Sequence, residues 1–285
     1  WQERAGLAVE RLLAEDARLL EPRISPRVRM ALLFPLDWQV ENRRLVAALA
    51  SAVETYGVRV WPGTEVAGVR VEAGRVAGVE TSRGFLGTGV VVVAAGAWSS
   101  LIPFSAAPGS SVEVDNGDGS ARATPEHPRV EPVRGQMLCF AARPTIVRHV
   151  VYTPRGYLVP RRDGRLLAGS TTERAGFDRF VTAGGVRTIA AHAIEIAPAV
   201  GGLELVDAWA GLRPCARDEW PVMGESDETR GLYYAAGLYR NGILLAPLTG
   251  QLLADAVVNH ARPPALEFFA PERFRHAAVT CAQGE

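Results

Sequence analysis

The chain has 285 residues, 48% of them hydrophobic and 22% charged, and its 31 basic residues are balanced by 31 acidic ones. That balance excludes the broad basic footprint of a nucleic-acid-binding protein, and the length allows one or two domains. All 31 basic residues are arginine, which excludes a lysine Schiff base and a phosphate-loop lysine.

Cys139, Cys215 and Cys281 are odd in number and far apart, so they predict no disulfide framework and a reducing, cytoplasmic compartment. His127, His149, His192, His260 and His276 lack metal-ligand spacing, and no metal is expected. No apolar run reaches the roughly 18 to 20 residues of a membrane span, and no signal peptide is visible. The chain opens at Trp1 inside charged, helix-like sequence without an initiator methionine, as a piece of a longer protein would.

Leu7, Leu12, Leu13, Leu19 and Leu20 predict a helix over residues 3–20, ended by Glu21-Pro22. Leu45, Val46, Leu49, Val53 and Tyr56 predict a second over 42–56, stopped at Gly57. A short strand is expected at 58–61, and a hairpin joins 66–71 to 76–81 across Glu72-Ala73-Gly74-Arg75. The continuous apolar run 90–95 reads as a strand buried on both faces. Residues 104–129, rich in Gly, Ser, Pro, Asp and Asn, read as a mobile surface loop with a solvated acidic patch.

Strands are expected at 133–140, 149–153, 157–160 and 166–170, with a turn at Arg162-Asp163-Gly164-Arg165. An amphipathic helix follows at 186–196, then strands at 203–209, 222–224 and 232–236, and a buried helix starting near Pro247. The implied fold is α/β plus α+β, part of a Rossmann-like nucleotide-binding domain interleaved with a mostly antiparallel β-sheet domain. Its expected divisions are 1–36, 37–103, the loop 104–129, 130–208 and 209–285, with the crevice between domains as the default ligand site.

Arg240 stands between two apolar runs, flanked by Gly237 and Gly242. A cation there is costly unless paired or kept near water, and glycines let backbone approach a ligand. Arg213 follows another apolar strand, with Pro214 fixing the turn after it. Two arginines at strand ends suit bidentate carboxylate binding, against the plainer reading of structural ion pairs. Tyr157 could donate a phenol and Trp98 could pack on an aromatic ligand, although core or rim packing explains either one alone. No nucleophile elbow, carboxylate pair or Cys/His pair stands out, so no catalytic side chain is assigned. A cofactor would carry the chemistry.

Trp209-Ala210-Gly211-Leu212-Arg213-Pro214, Tyr239-Arg240-Asn241-Gly242-Ile243-Leu244-Leu245-Ala246-Pro247 and Val133-Arg134-Gly135-Gln136-Met137 resemble the flavin-dependent D-amino-acid oxidase family, especially its glycine-oxidising branch tied to thiamine biosynthesis. Glu21-Pro22, Gln39-Val40, Gly63-Thr64-Glu65-Val66, Val92 to Ser99 and Tyr157 to Arg161 extend the resemblance over nearly the whole chain except 104–129.

The resemblance implies FAD as cofactor. It places Arg213, Arg240, Tyr157 and Thr172 against the substrate, with Arg213 pairing the carboxylate. It places Val66, Gly96, Trp98 and the run Leu238, Tyr239, Arg240, Asn241, Gly242, Ile243 and Leu244 against the cofactor. The implied reaction is oxidative deamination of a small, glycine-like amino acid, with oxygen as co-substrate. Nucleic acid and membrane are excluded as partners, and a homo-oligomer is left open. One departure stands out: the family's strand–GxGxxG–helix, which holds the pyrophosphate, has no counterpart in this sequence. A sarcosine oxidase or D-amino-acid dehydrogenase of the same superfamily, and a non-catalytic remnant keeping a carboxylate site, are the alternatives.

Overall fold

The structure, a computed structural model, describes residues 1–106, 128–261 and 263–274. In chain order its elements begin with β1 (Glu10–Leu13), α1 (Ala14–Leu20), β2 (Met30–Leu33), α2 (Asn42–Thr55), β3 (Val66–Glu72), β4 (Arg75–Thr81) and β5 (Gly84–Gly87). They continue with β6 (Val91–Val93), β7 (Phe104–Ala106), β8 (Val130–Ala141), β9 (Val151–Thr153), β10 (Gly156–Pro160), β11 (Arg165–Gly169) and α3 (Ala183–Ile196). The last are β12 (Leu205–Ala216), β13 (Val222–Glu225), β14 (Leu232–Ala236), α4 (Gly242–Asn259) and α5 (Pro264–Phe268), and 3-10 turns occupy Gly96–Leu101 and Pro198–Gly202. This is the mixed α/β and antiparallel architecture that the periodicities imply.

The chain divides into one unit of residues 1–51 and 134–212 and a second of 52–133 and 213–285. The first is built on a five-stranded sheet in the order β12-β8-β11-β10-β9. The β10–β11 hairpin closes through Gly164, whose φ of 84° suits glycine. Helix α3 packs on β10 and β11 and buries Gly185, Ile189, Ala193 and Ile196, a helical stripe. The stripe meets Leu138, Phe140, Leu158, Leu166 and Ala168 of the sheet in one core. The Thr182 hydroxyl caps α3 by accepting from the Gly185 N–H at 3.1 Å.

In the second unit a three-stranded sheet, β13-β14-β6, has its central strand covered on both faces. Alternation along β14 sends Leu232, Tyr234 and Ala236 toward Val69, Val76 and Val93, and Tyr233 toward Leu253 and Ala256 of α4. A four-stranded sheet, β5-β4-β3-β7, completes the unit. The predicted β3–β4 hairpin is present, turning through Ala73 and Gly74 at φ 48° and 74°, with Glu72 opposite Arg75. Two successive positive φ values mark the turn class whose twist matches its strands.

Several expectations are corrected. The helix read over 3–20 begins only at Ala14, because residues 10–13 pair antiparallel with β2; Leu12 and Leu13 satisfy either period, and the partner strand decides. Residues 58–61 form no strand and are exposed; a strand needs a ladder partner. Residues 104–106 form β7, parallel to β3, where a loop was expected. Residues 107–127, the rest of that loop with its acidic patch, lie outside the described residues, as do His127, His276 and Cys281. Strand β6 is not buried on both faces: Val93 is buried, but Val92 is 43% exposed. Strand β12 runs on through Pro214 where a turn was expected. It is the edge strand of its sheet, where a missing N–H breaks no ladder.

Helix α4 starts at Gly242, five residues before Pro247, and Pro247 sits within it at the cost of a single backbone bond. It is not a buried helix: Thr249, Leu253 and Ala256 face the sheet, while Leu244 is 78% exposed. Length and composition alone would let α4 cross a membrane, but it packs along β13 and β14 as a sheet-covering helix.

Candidate functional site

Two arginines predicted from separate parts of the sequence are brought to one junction in the second unit. Arg213 lies inside β12, two residues before Cys215, and Cys215 bridges to Leu238 in the loop after β14. The Tyr239 N–H donates to the Pro214 carbonyl at 2.8 Å. The backbone next to Arg213 is thereby fastened to the backbone next to Arg240. The loop owes its path to Gly237 at φ 68°, where a Cβ would come within 3.1 Å of Ala216 and Val222 side-chain carbons. Tyr239 has a positive φ as well, 44°, an uncommon conformation for a bulky residue and one that clusters at functional loops. The Arg240 guanidinium is exposed and lies 5.2 Å from the Tyr239 ring centroid.

The same loop delivers the chain to α4. The Asn241 side chain makes no capping bond there, and the first-turn amides have no intrahelical acceptor, as at any helix start. Leu238, Tyr239, Arg240, Asn241, Gly242, Ile243 and Leu244 therefore run from a tied strand end to the positive end of an 18-residue helix.

Gly96 and Trp98 stand close to this junction by topology. Strand β6 runs parallel to β14 with Leu232 opposite Val91 and Tyr234 opposite Val93. The turn Gly96–Leu101 and the loop from Gly237 thus leave adjacent strands at the same, C-terminal edge, where open α/β sheets bind ligands. Gly96 has φ 56°, and Trp98 is 43% exposed. Val66, assigned to the same cofactor, opens β3 in the other sheet and is exposed.

Tyr157 and Thr172 belong to the first unit. The Tyr157 hydroxyl donates to the Met137 thioether at 3.2 Å, and its ring stacks on Tyr152. Gly169, opposite Tyr157 in the ladder, makes room for both: a Cβ there would fall 2.3 Å from Met137 Sδ and 2.6 Å from the Tyr157 hydroxyl. Thr172 follows β11 and is exposed.

Burial raises the Cys139 thiol and the Tyr234 phenol above their ordinary values, so neither titrates near neutrality. Among the described residues no group of His, Cys, Asp or Glu is arranged to hold a metal ion. For a flavin dinucleotide the fit is divided. The amide-rich start of α4 and the exposed Trp98 suit a polar-edged aromatic ring. The described residues hold no glycine-rich cradle for a pyrophosphate.

Sequence reasoning gave Arg134 and Gln136 no role beyond the resemblance and passed over Glu173; the three form a polar network in the first unit, with Arg134 and Gln136 buried and Glu173 part-buried. Its one sequence signal was the polar pair Arg134 and Gln136 inside an otherwise strand-like run.

The family described as DAO, FAD dependent oxidoreductase, matches residues 1–256. A bifunctional protein ThiO/ThiG of Synechocystis sp. is 34% identical over 266 residues, covering 91% of this chain and 37% of that protein. A glycine oxidase of Geobacillus kaustophilus is 36% identical over 255 residues, covering 88% of this chain and 62% of that protein. The crystal structure of glycine oxidase from Geobacillus kaustophilus superposes with a TM-score of 0.82 at 34% identity, over 94% of this chain and 68% of that one. The chain thus spans between about a third and two thirds of the length of these curated relatives.

Proposed function

The chain belongs to the DAO family of FAD-dependent oxidoreductases, and from that premise we propose that it serves the oxidative deamination of a small, glycine-like amino acid in thiamine biosynthesis. The observation that carries this reading is the bond from the Tyr239 N–H to the Pro214 carbonyl, 2.8 Å, which fastens Arg213 and Arg240 to one junction.

In this reading the Arg213 fork takes the substrate carboxylate through paired N–H donors. Arg240, more exposed, adds positive charge beside it. The Tyr157 hydroxyl turns from the weak thioether acceptor to the carboxylate, a better one, and Thr172 lines the substrate side. The backbone from Leu238 to Leu244, with Gly96, Trp98 and Val66, holds the cofactor, the amides of the α4 start meeting its polar edge. Bound FAD would supply the acceptor for the hydride leaving the substrate Cα and pass the electrons to oxygen as hydrogen peroxide, while water adds to the oxidised substrate and releases an oxo acid and ammonia. The chain's own contribution is orientation, worth far more in rate than any single contact, and it requires no side-chain base. The likeness to a glycine oxidase and to a ThiO/ThiG protein supports glycine and the thiamine assignment.

The test is a pair of substitutions in the flavin-loaded protein. A charged hydrogen-bonded pair contributes about 1.5–3 kcal/mol, so Arg213→Ala raises KM by roughly ten- to a hundredfold, and Arg213→Lys by much less. Equal kinetics for the two variants would sink the clamp. Peroxide release assayed with glycine, sarcosine and D-alanine separates this reading from a sarcosine oxidase, and peroxide-free turnover would indicate a dehydrogenase.

A further inference from the structure

The polar network of the first unit has no part in the chemistry above, yet it engages both polar atoms of a buried amide, that of Gln136. Gln136 on β8 is fully buried. Its Oε1 accepts from the Thr182 N–H at 2.8 Å, and its Nε2 donates to Glu173 Oε1 at 2.7 Å and to Thr182 Oγ1 at 3.1 Å. Its backbone N–H donates to Thr171 Oγ1 at 2.9 Å, and its carbonyl accepts from the Thr171 N–H at 3.4 Å.

Two residues earlier on the same face of β8, Arg134 exchanges backbone bonds with Glu173, 2.8 and 3.0 Å. Its Nε donates to Glu173 Oε2 at 3.1 Å, and its guanidinium sits 4.9 Å from the Phe180 ring centroid. Burial acts to raise the Glu173 pKa, but hydrogen bonds from Thr171, Arg134 and Gln136 outweigh it and hold the carboxyl below its ordinary value.

An apolar residue could fill the place of Gln136 with no polar groups to satisfy. A buried amide whose oxygen and nitrogen are both bonded specifies geometry more than it adds stability. The geometry specified here is that of residues 171–173. Thr171 and Glu173 are pinned inward, and Thr172 between them is exposed, as alternation in an extended segment requires.

We propose that Gln136 is a positioning residue, whose bonds to Thr171, Glu173 and Thr182 fix the place at which Thr172 meets the substrate. The inference rests on the reading of Thr172 as a substrate-side residue.

The test is a double-mutant cycle of Gln136→Met and Thr172→Ala in the flavin-loaded protein. KM and kcat are measured with glycine, and the dissociation constant of glycolate is read from the flavin absorbance. Each single change should raise KM and the glycolate constant about tenfold with kcat within about threefold, the signature of lost uniform binding. Together they should do little more than either alone, because the first acts through the second. Multiplying effects, or a folded Gln136→Met protein with unchanged glycolate binding, would overturn the proposal; so would a silent Thr172→Ala. If Gln136→Met does not fold, Thr171→Val removes the hydroxyl that accepts from the Gln136 N–H and bonds Glu173, and it must show the same non-additivity with Thr172→Ala. An unaltered KM in Arg213→Ala would instead strike the carboxylate reading itself.

Discussion

Gly185 and Gly184 occupy adjacent positions in the first turn of α3 but face different surroundings, which makes them a matched pair. Helix propensity favours alanine over glycine at either site by up to about 1 kcal/mol. At Gly184 an added Cβ would meet nothing within 4 Å, so Gly184→Ala should stabilise by up to about that amount. At Gly185 the same methyl would fall 2.3 to 2.5 Å from the Oε1, Cδ and Nε2 of Gln136. Two responses are open to the protein. The helix and strand can separate, an overpacking strain of about 1–3 kcal/mol. Otherwise the Gln136 amide can leave its three partners, at about 1 kcal/mol per bond. Taking either route at about 3 kcal/mol and subtracting the propensity gain leaves Gly185→Ala less stable by about 2 kcal/mol, roughly a thirtyfold loss in the folding constant. Urea unfolding of both variants, compared at equal m-value, measures this directly. If Gly185→Ala were as stable as Gly184→Ala, Gln136 would not be held in the way its hydrogen bonds indicate.

Gly169→Ala should raise KM and cost about 1–3 kcal/mol, because Met137 can turn aside but the rigid Tyr157 ring must move as a whole; steady-state kinetics and urea unfolding read both. Glu21 is buried and accepts from the Arg148 N–H at 2.8 Å and the His149 N–H at 2.6 Å, and its Oε1 lies 2.6 Å from His149 Nδ1. Glu21→Ala strands those donors and should lower unfolding stability by about 2–4 kcal/mol, Glu21→Gln by clearly less. The Asp163 carboxyl, hydrogen-bonded by the Arg165 guanidinium, is held at about 2 against an ordinary 3.8. A depressed folded-state pKa stabilises above the unfolded value and is lost on acidification. The advantage of the native protein over Asp163→Asn should therefore be present at pH 6 and fade as pH falls from about 4 toward 2. With Asp163 38% exposed, it should stay under about 1 kcal/mol. A gap in urea midpoint that widens in acid would refute the assignment.

What could be read from the sequence depended on whether a residue's neighbours in space were also its neighbours in the chain. The β3–β4 hairpin was legible because Ala73 and Gly74 carry the turn themselves. Helices α2 and α3 were legible because a helical stripe is a local pattern. The end of β12 was not: Pro214 signals a turn unless the strand lies at a sheet edge, and edge position is a property of the whole sheet. Residues 10–13 were misread because the decision belonged to β2, some twenty residues on. Gln136 was invisible as a buried residue, since no local pattern distinguishes an amide held by three distant groups from one held by water. The arginines were singled out by the cost of a cation among apolar residues, and Arg213 proved to lie within its strand.

The two overestimates of burial, at β6 and α4, share a cause. Hydrophobic sequence records a need for cover without saying what supplies it. The exposed apolar side chains Val92 at 43%, Trp98 at 43%, Ile243 at 48% and Leu244 at 78% lie on elements that meet at the C-terminal edge of parallel strands. Apolar groups concentrated at that edge, beside a helix start rich in amide donors, make a surface for a ligand that is flat and apolar on its faces and polar at its rim. Trp98, Ile243 and Leu244 are also residues assigned to the cofactor by resemblance. The motif and the surface chemistry choose the same residues, and together they are a stronger ground for proposing a flavin there than either would be alone.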